Sequence, residues 1–148
     1  MNERYNSLDM NNKLIWNFRD ISHTMRRTSE GKGSQKRVLI ILLENDGMTQ
    51  KELTDRLGVQ PGSASETLAK LEGNGMILRT ANEKDRRTTD VVLTEKGKAM
   101  AQEAYESRNA RHQAMFEVLS DDEKETLIAL LERLNSDWET KFKKQDGE

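Results

Sequence analysis

The chain has no cysteine and a single proline, Pro61, in 148 residues. The first absence removes structural disulfides, thiolate metal sites, cysteine nucleophiles and thiol redox sensing together. The second, with no internal repeat and no low-complexity linker, predicts one continuous, mostly helical chain. Aromatic residues make up 5% of the sequence and all apolar residues 34%, little for a protein that must hide its hydrophobic faces alone, while 34% is charged. Long charged helices and a partner chain are the natural reading of that imbalance. No stretch approaches the roughly 18 apolar residues of a membrane span. The opening MNERYNSLDMNNKLIW also lacks the apolar core of a signal peptide. A soluble, cytoplasmic protein with no membrane partner is therefore expected. The net charge of −2 advertises no nucleic-acid binder, so any such function must rest on where the charges sit.

Helical periodicity dominates what is present. Leu14, Phe18, Ile21 and Met25 recur at spacings of three and four, which predicts a helix over residues 9–27. Ser34 caps a second helix whose Val38, Leu39, Ile41, Leu42 and Leu43 cover most of its circumference, ending at Asn45-Asp46-Gly47. Thr49 and Glu52 form a capping box for a short helix with Leu53 and Leu57 inward and Gly58 at its end. Pro61 suits the first position of the next helix, although Ser63 and Glu66 offer a competing capping box two residues on. Its inward face is Ala64, Leu68 and Leu71.

Residues 76–79 then read as a strand, and residues 88–93 alternate as a second, so the pair is expected to form a β-hairpin with Lys84, Arg86 and Arg87 at its tip. Thr94 caps a long helix with Ala101, Tyr105, Arg108, His112, Met115, Phe116 and Leu119 on one stripe. Ser120 and Glu123 form a further capping box, opening a last helix with Leu127, Leu130, Leu131, Leu134, Trp138 and Phe142 in register. The first helix and the last two are too long and amphipathic for a small monomer.

A short helix, a tight turn, a second helix and a β-hairpin follow the order of a winged helix-turn-helix. The second helix of such a unit enters the major groove by its N-terminal end, and a basic hairpin tip can reach a minor groove or a phosphate run. Arginine suits a wing because its planar fork is always charged. On the run TQKELTDRLGVQPGSASETLAKLEGNGMILRTANEKDRRTTDVVLTEKGK, the chain resembles the DNA-binding lobe of the MarR transcriptional regulators. Asp85 and Arg87 occupy the family's Asp-x-Arg, and Leu93, Thr94 and Gly97 its Leu-Thr-x-x-Gly. Leu71, Glu72 and Gly75 match the end of its recognition helix.

The resemblance implies a mainly α fold with a small β-hairpin: a winged helix-turn-helix over residues 34–97, flanked by an N-terminal dimerisation helix in 1–33 and C-terminal dimerisation helices in 98–148. It further implies a homodimer on a pseudo-palindromic operator of double-stranded DNA, with a pocket for a small-molecule effector. Arg87 would be the wing arginine and Asp85 the carboxylate that orients it, with Lys84 and Arg86 beside them. Against this stands the plainer reading that Asp85 caps a turn and the arginines are solvated.

Helical geometry sends Gly62, Glu66 and Ala69 outward and leaves Ser63, Ser65 and Lys70 on the flanks. The serines can bond phosphates or base edges, and Lys70 can take a phosphate. Glu66 departs from the basic side chain many relatives carry. It either accepts a hydrogen bond from cytosine or merely closes the capping box with Ser63. Lys32, Lys36 and Arg37 are candidates for further backbone contacts, or ordinary solvated surface.

Other chemistries fall away. GKGS lacks the earlier glycine and the preceding strand of a phosphate loop, so nucleotide binding is discarded. His23 and His112, far apart and without a ligand-spaced carboxylate, are assigned to packing or surface and not to a metal site. With no nucleophile and no cofactor motif, an enzyme is not expected. Trp16, Phe18, Met25, Tyr105 and His112 are candidates for lining an effector pocket, although such stripes usually serve core or dimer contact. Two readings of function remain: a dimeric repressor relieved by a small molecule, or a winged-helix protein-interaction module that does not read DNA.

Overall fold

The computed structural model describes residues 3–45 and 47–143. Asp46, placed by sequence in the turn after the second helix, lies outside the described residues. Among the described residues, seven helices and three short strands follow in the order α1 (Glu3–Asn6), α2 (Met10–Thr28), α3 (Gln35–Glu44), β1 (Met48–Thr49), α4 (Gln50–Leu57), α5 (Pro61–Gly73), β2 (Ile77–Ala81), β3 (Thr89–Leu93), α6 (Glu95–Phe116) and α7 (Asp121–Lys141). The described residues fall into two compact units, one ending at Tyr105 and the other beginning at Glu106, within α6. Among the described residues, no helix is long and apolar enough to cross a membrane.

In the first unit the core is built from α3, α4, α5, the start of α6 and the sheet. Val38, Leu53, Leu68, Leu71, Ile77, Val91 and Ala101 are completely buried, with Leu57 and Ala64 nearly so. The expected hairpin forms, but within a three-stranded antiparallel sheet of order β1-β3-β2. Met48 pairs with Val91 and Thr49 with Asp90, a two-residue strand too short to leave any alternation in the sequence. Ile77 pairs with Leu93 and Ala81 with Thr89. The second strand therefore runs two residues past the expected Arg79, because cross-strand pairing extends it where side-chain pattern does not.

The caps account for most helix boundaries. Asp9, Ser34, Thr49 and Ser120 each accept a hydrogen bond from a backbone amide three residues on, and Thr49 and Ser120 complete capping boxes with Glu52 and Glu123. The competing capping box of Ser63 and Glu66 does not form. α5 starts at Pro61 with Gln60 as its N-cap, since proline's fixed φ and missing N–H suit a first helical position. At the other end of α5, Gly75 takes φ 72° while the Gly75 and Met76 amides donate to the Glu72 and Leu71 carbonyls. This Schellman motif turns the chain directly into β2.

The Leu-Thr-x-x-Gly segment ties β3 and α6 to that same turn. Thr94 donates its hydroxyl to the Gly75 carbonyl at 2.6 Å and accepts from the Gly97 amide at 3.0 Å. Gly97 is buried, and a Cβ there would overlap the Met76 carbonyl, so only glycine lets α6 start so close to the strand.

Candidate nucleic-acid interface

α5 is fixed from beneath by Ala64, Leu68 and Leu71, all buried. That leaves Gly62, Ser63, Ser65, Glu66, Ala69 and Lys70 exposed, the outward set that helical geometry predicts. Nothing lies within 4 Å of where a Gly62 Cβ would stand, so no packing within the chain requires glycine there. Glu66 and Lys70 form an open ion pair at 3.3 Å, one helical turn apart. Thr67 donates its hydroxyl to the Gly33 carbonyl at 3.0 Å, a contact not anticipated from sequence, which docks the loop ahead of α3 on the flank of α5.

At the C-terminal end of α5, Glu72 accepts two hydrogen bonds from the Arg79 guanidinium, at 3.1 and 3.2 Å. This fork ties the helix to β2. The same bonds hold the Glu72 carboxyl below the usual glutamate value, because they favour its charged form.

The turn between β2 and β3 is organised by polar side chains rather than by packing. Asn82 Oδ1 accepts from the Lys84 and Asp85 amides at 2.9 and 3.0 Å, and its Nδ2 donates to the Asp90 carboxylate at 3.0 Å. Asp85 Oδ1 accepts from the Arg87 amide at 3.0 Å and lies 3.4 Å from Arg87 Nε. Thr88 donates both its amide and its hydroxyl to the Asp85 carbonyl. Asp85 therefore caps the turn and faces the arginine at once. Arg87 is almost wholly exposed, at 93% of its side-chain surface, and Lys84 and Arg86 are exposed beside it.

Asn82 was legible as a residue type favoured in turns, but its two-sided role depends on Asp90 lying across the hairpin. The three basic candidates in and just ahead of α3 separate. Lys32 and Lys36 are exposed, whereas Arg37 is half-buried with its Nε enclosed and making no hydrogen bond.

The second unit carries an apolar groove of about 550 Å³ between the end of α6 and the start of α7, walled by Phe116, Leu119, Leu127, Ile128 and Leu131 with His112 and Lys124 at its polar margin. Of the five side chains expected around an effector, only His112 lines this groove. Trp16 instead meets Tyr5 edge to face at 6.1 Å in the first unit. No group of three histidine or carboxylate side chains among the described residues is placed to hold a metal.

A sequence model of the MarR family matches residues 34–89. The HTH-type transcriptional regulator YwhA of Bacillus subtilis is 32% identical over 97 residues, spanning 66% of this chain and 70% of its own. The chain belongs to the MarR family. It is thus a transcriptional regulator and not an enzyme. The B. subtilis repressor MdtR is 29% identical over 109 residues, 72% of this chain and 70% of its own. A single-substitution mutant of MarR from E. coli, solved in complex with operator DNA, superposes with a TM-score of 0.66 at 26% identity, covering 86% of this chain and 99% of that one. The Asp85 and Arg87 pair and the Thr94–Gly97 latch give the family's signature residues distinct physical tasks: one shapes the wing tip, and the other sets α6 against the turn that ends α5.

Proposed function

We propose that this MarR-family regulator is a homodimeric, sequence-specific repressor that occupies a pseudo-palindromic operator in the cytoplasm and is released by a small-molecule effector. The observation that carries the reading is the shape of α5: its inward face is anchored in the core, while its N-terminal two turns present small and polar side chains to the outside. Arg86, Arg87 and Lys84 on the adjoining hairpin supply charge for the DNA backbone. The MarR complex with operator DNA supports the partner, and MdtR, named a repressor, supports the sign of the response.

Dimerisation is supported by α2 and α7, of 19 and 21 residues, neither of which buries a single residue. They leave Leu14, Ile15, Ile21, Met25, Ile128 and Leu130 exposed. Those exposed faces support dimer helices in residues 1–33 and 98–148, with the DNA lobe in 34–97. Two lobes then present their α5 helices about 34–36 Å apart, one turn of DNA. An effector that favours any other spacing weakens binding without touching the DNA face. The groove at the α6–α7 turn is large enough for such a ligand.

Fluorescence anisotropy with DNA from upstream of the protein's own gene, against scrambled DNA across a salt series, tests the reading. Preference for the upstream DNA is expected, with a log-log salt slope of about −0.9 per phosphate contact. Absence of binding even at low salt would leave the protein-interaction reading in its place.

A further inference from the structure

We propose that Glu66 reads a cytosine in the operator and that Lys70 is its exchangeable counter-ion. The inference rests on the DNA-binding reading of α5 given above and names the base that its central side chain selects.

Glu66 has no task in the fold. Because α5 starts at Pro61 with Gln60 as its cap, Glu66 lies beyond the first turn, where the capping amides are. Its carboxylate meets Lys70 at 3.3 Å, with 72% and 60% of the two side chains exposed. An ion pair so open to water contributes little to stability. Glu66 also stands in the half of α5 that enters a major groove, directly opposite the buried Leu68 and Leu71. Its neighbours on that line, Gly62 and Ala69, carry no hydrogen-bonding side chain, so Glu66 is the one that can bond a base edge there.

An ionised carboxylate only accepts hydrogen bonds. In the major groove the base-edge donors are the amino groups of cytosine and adenine. Adenine sets its amino group beside the N7 acceptor, which repels a carboxylate, whereas the cytosine edge offers the amino group alone. Guanine and thymine offer acceptors. Cytosine is therefore the base that a glutamate in this position favours.

Lys70 completes the arrangement. It lies four residues further on, about 6 Å along the helix axis and turned toward the flank. In the free protein it offsets the Glu66 charge. In the complex the ammonium passes to a backbone phosphate as the carboxylate meets the cytosine amino group, so neither charge is left unpaired in the interface.

The test uses the full-length protein and a duplex that it selects from a randomised library. Each base pair of the half-site is then replaced in turn, and binding is measured by anisotropy for wild type, Glu66→Gln and Lys70→Met. Wild type is expected to lose about tenfold in affinity when one particular C·G pair is replaced. Glu66→Gln is expected to lose that preference and to favour adenine at the same position, since glutamine matches the adenine N6 and N7 pair. Lys70→Met should weaken binding to all sequences alike and make the log-log salt slope shallower by about 1, with the cytosine preference intact. A Glu66→Gln protein with the wild-type base profile at every position would overturn the cytosine assignment, and an unchanged salt slope in Lys70→Met would overturn the exchange. If wild type selects no duplex at all, the DNA-binding reading itself fails, a result distinct from either.

Discussion

The core helices of the first unit and the two long helices α2 and α7 reach the same local structure by the same means and then diverge. α3 buries five of its ten residues, Val38 to Leu42. α2 and α7 are as well capped, by Asp9 and by the Ser120–Glu123 box, yet bury none. Capping and periodicity thus specify that a helix forms without specifying what covers its apolar face. In the lobe that face is covered by the chain's own sheet and helices. On α2 and α7 much of it stays exposed, at Leu14, Ile21, Met25, Ile128 and Leu130, so the low apolar content of the sequence is not spread evenly over the fold.

The largest effect is expected where burial is complete. Leu68→Ala removes a side chain with no exposed surface from beneath α5 and should cost about 2–5 kcal/mol, read as a fall in the urea midpoint. The matching change on α7 is Leu130→Glu, at a position 46% exposed in the single chain. It should leave the circular dichroism of the helices nearly unchanged and weaken self-association by several kcal/mol, because a carboxylate is then buried in an apolar interface. Sedimentation equilibrium would show dimers giving way to monomers at micromolar concentration. Leu130→Glu chains that associate as tightly as wild type would remove α7 from the dimer face and break the comparison.

The fold was legible in the sequence wherever its cause was local. Thr49 with Glu52, Ser120 with Glu123, Gly58 and Pro61 act within one turn of their own positions, and they set the boundaries found. Glu66 with Ser63 had the same local pattern and failed, because Pro61 had already started the helix and left those residues inside it. The partnership of β1 with β3 could not be read, since Met48 and Thr49 find their partners about forty residues away and carry no periodicity of their own. The outward face of α5 was readable from helical geometry. The manner in which the wing tip is held was not, because it depends on Asn82 meeting Asp90 across the hairpin.

That difference separates the two halves of the candidate interface as well: apolar packing positions α5, whereas hydrogen bonds to two side chains shape the wing. Asn82→Ala removes the acceptor for two amides and the donor to Asp90. It should therefore loosen the tip while the core stays intact. DNA affinity is expected to fall by about tenfold or less, approaching the loss from Arg87→Ala measured alongside, with the unfolding free energy from urea titration changed by no more than about 1 kcal/mol. Equal affinity in Asn82→Ala and wild type would mean that Arg87 needs no ordered turn to act.

The smallest effect sharpens the junction between the two halves, where Glu72 on α5 grips Arg79 on β2. The guanidinium holds the Glu72 carboxyl below its ordinary 4.5. A carboxyl depressed in the folded state stabilises the fold above its unfolded value, and that contribution is lost as pH falls through the lower folded value. Glu72→Gln should consequently be slightly less stable than wild type at neutral pH. The gap should start to close only below pH 4.5 and disappear once the wild-type carboxyl is protonated. The side chain is 40% exposed and solvent screens the pair, so the neutral-pH gap is expected to be the least of these effects. Urea midpoints of the two proteins across that range measure it. A gap that persists undiminished through acid would show that the carboxylate charge is not its source.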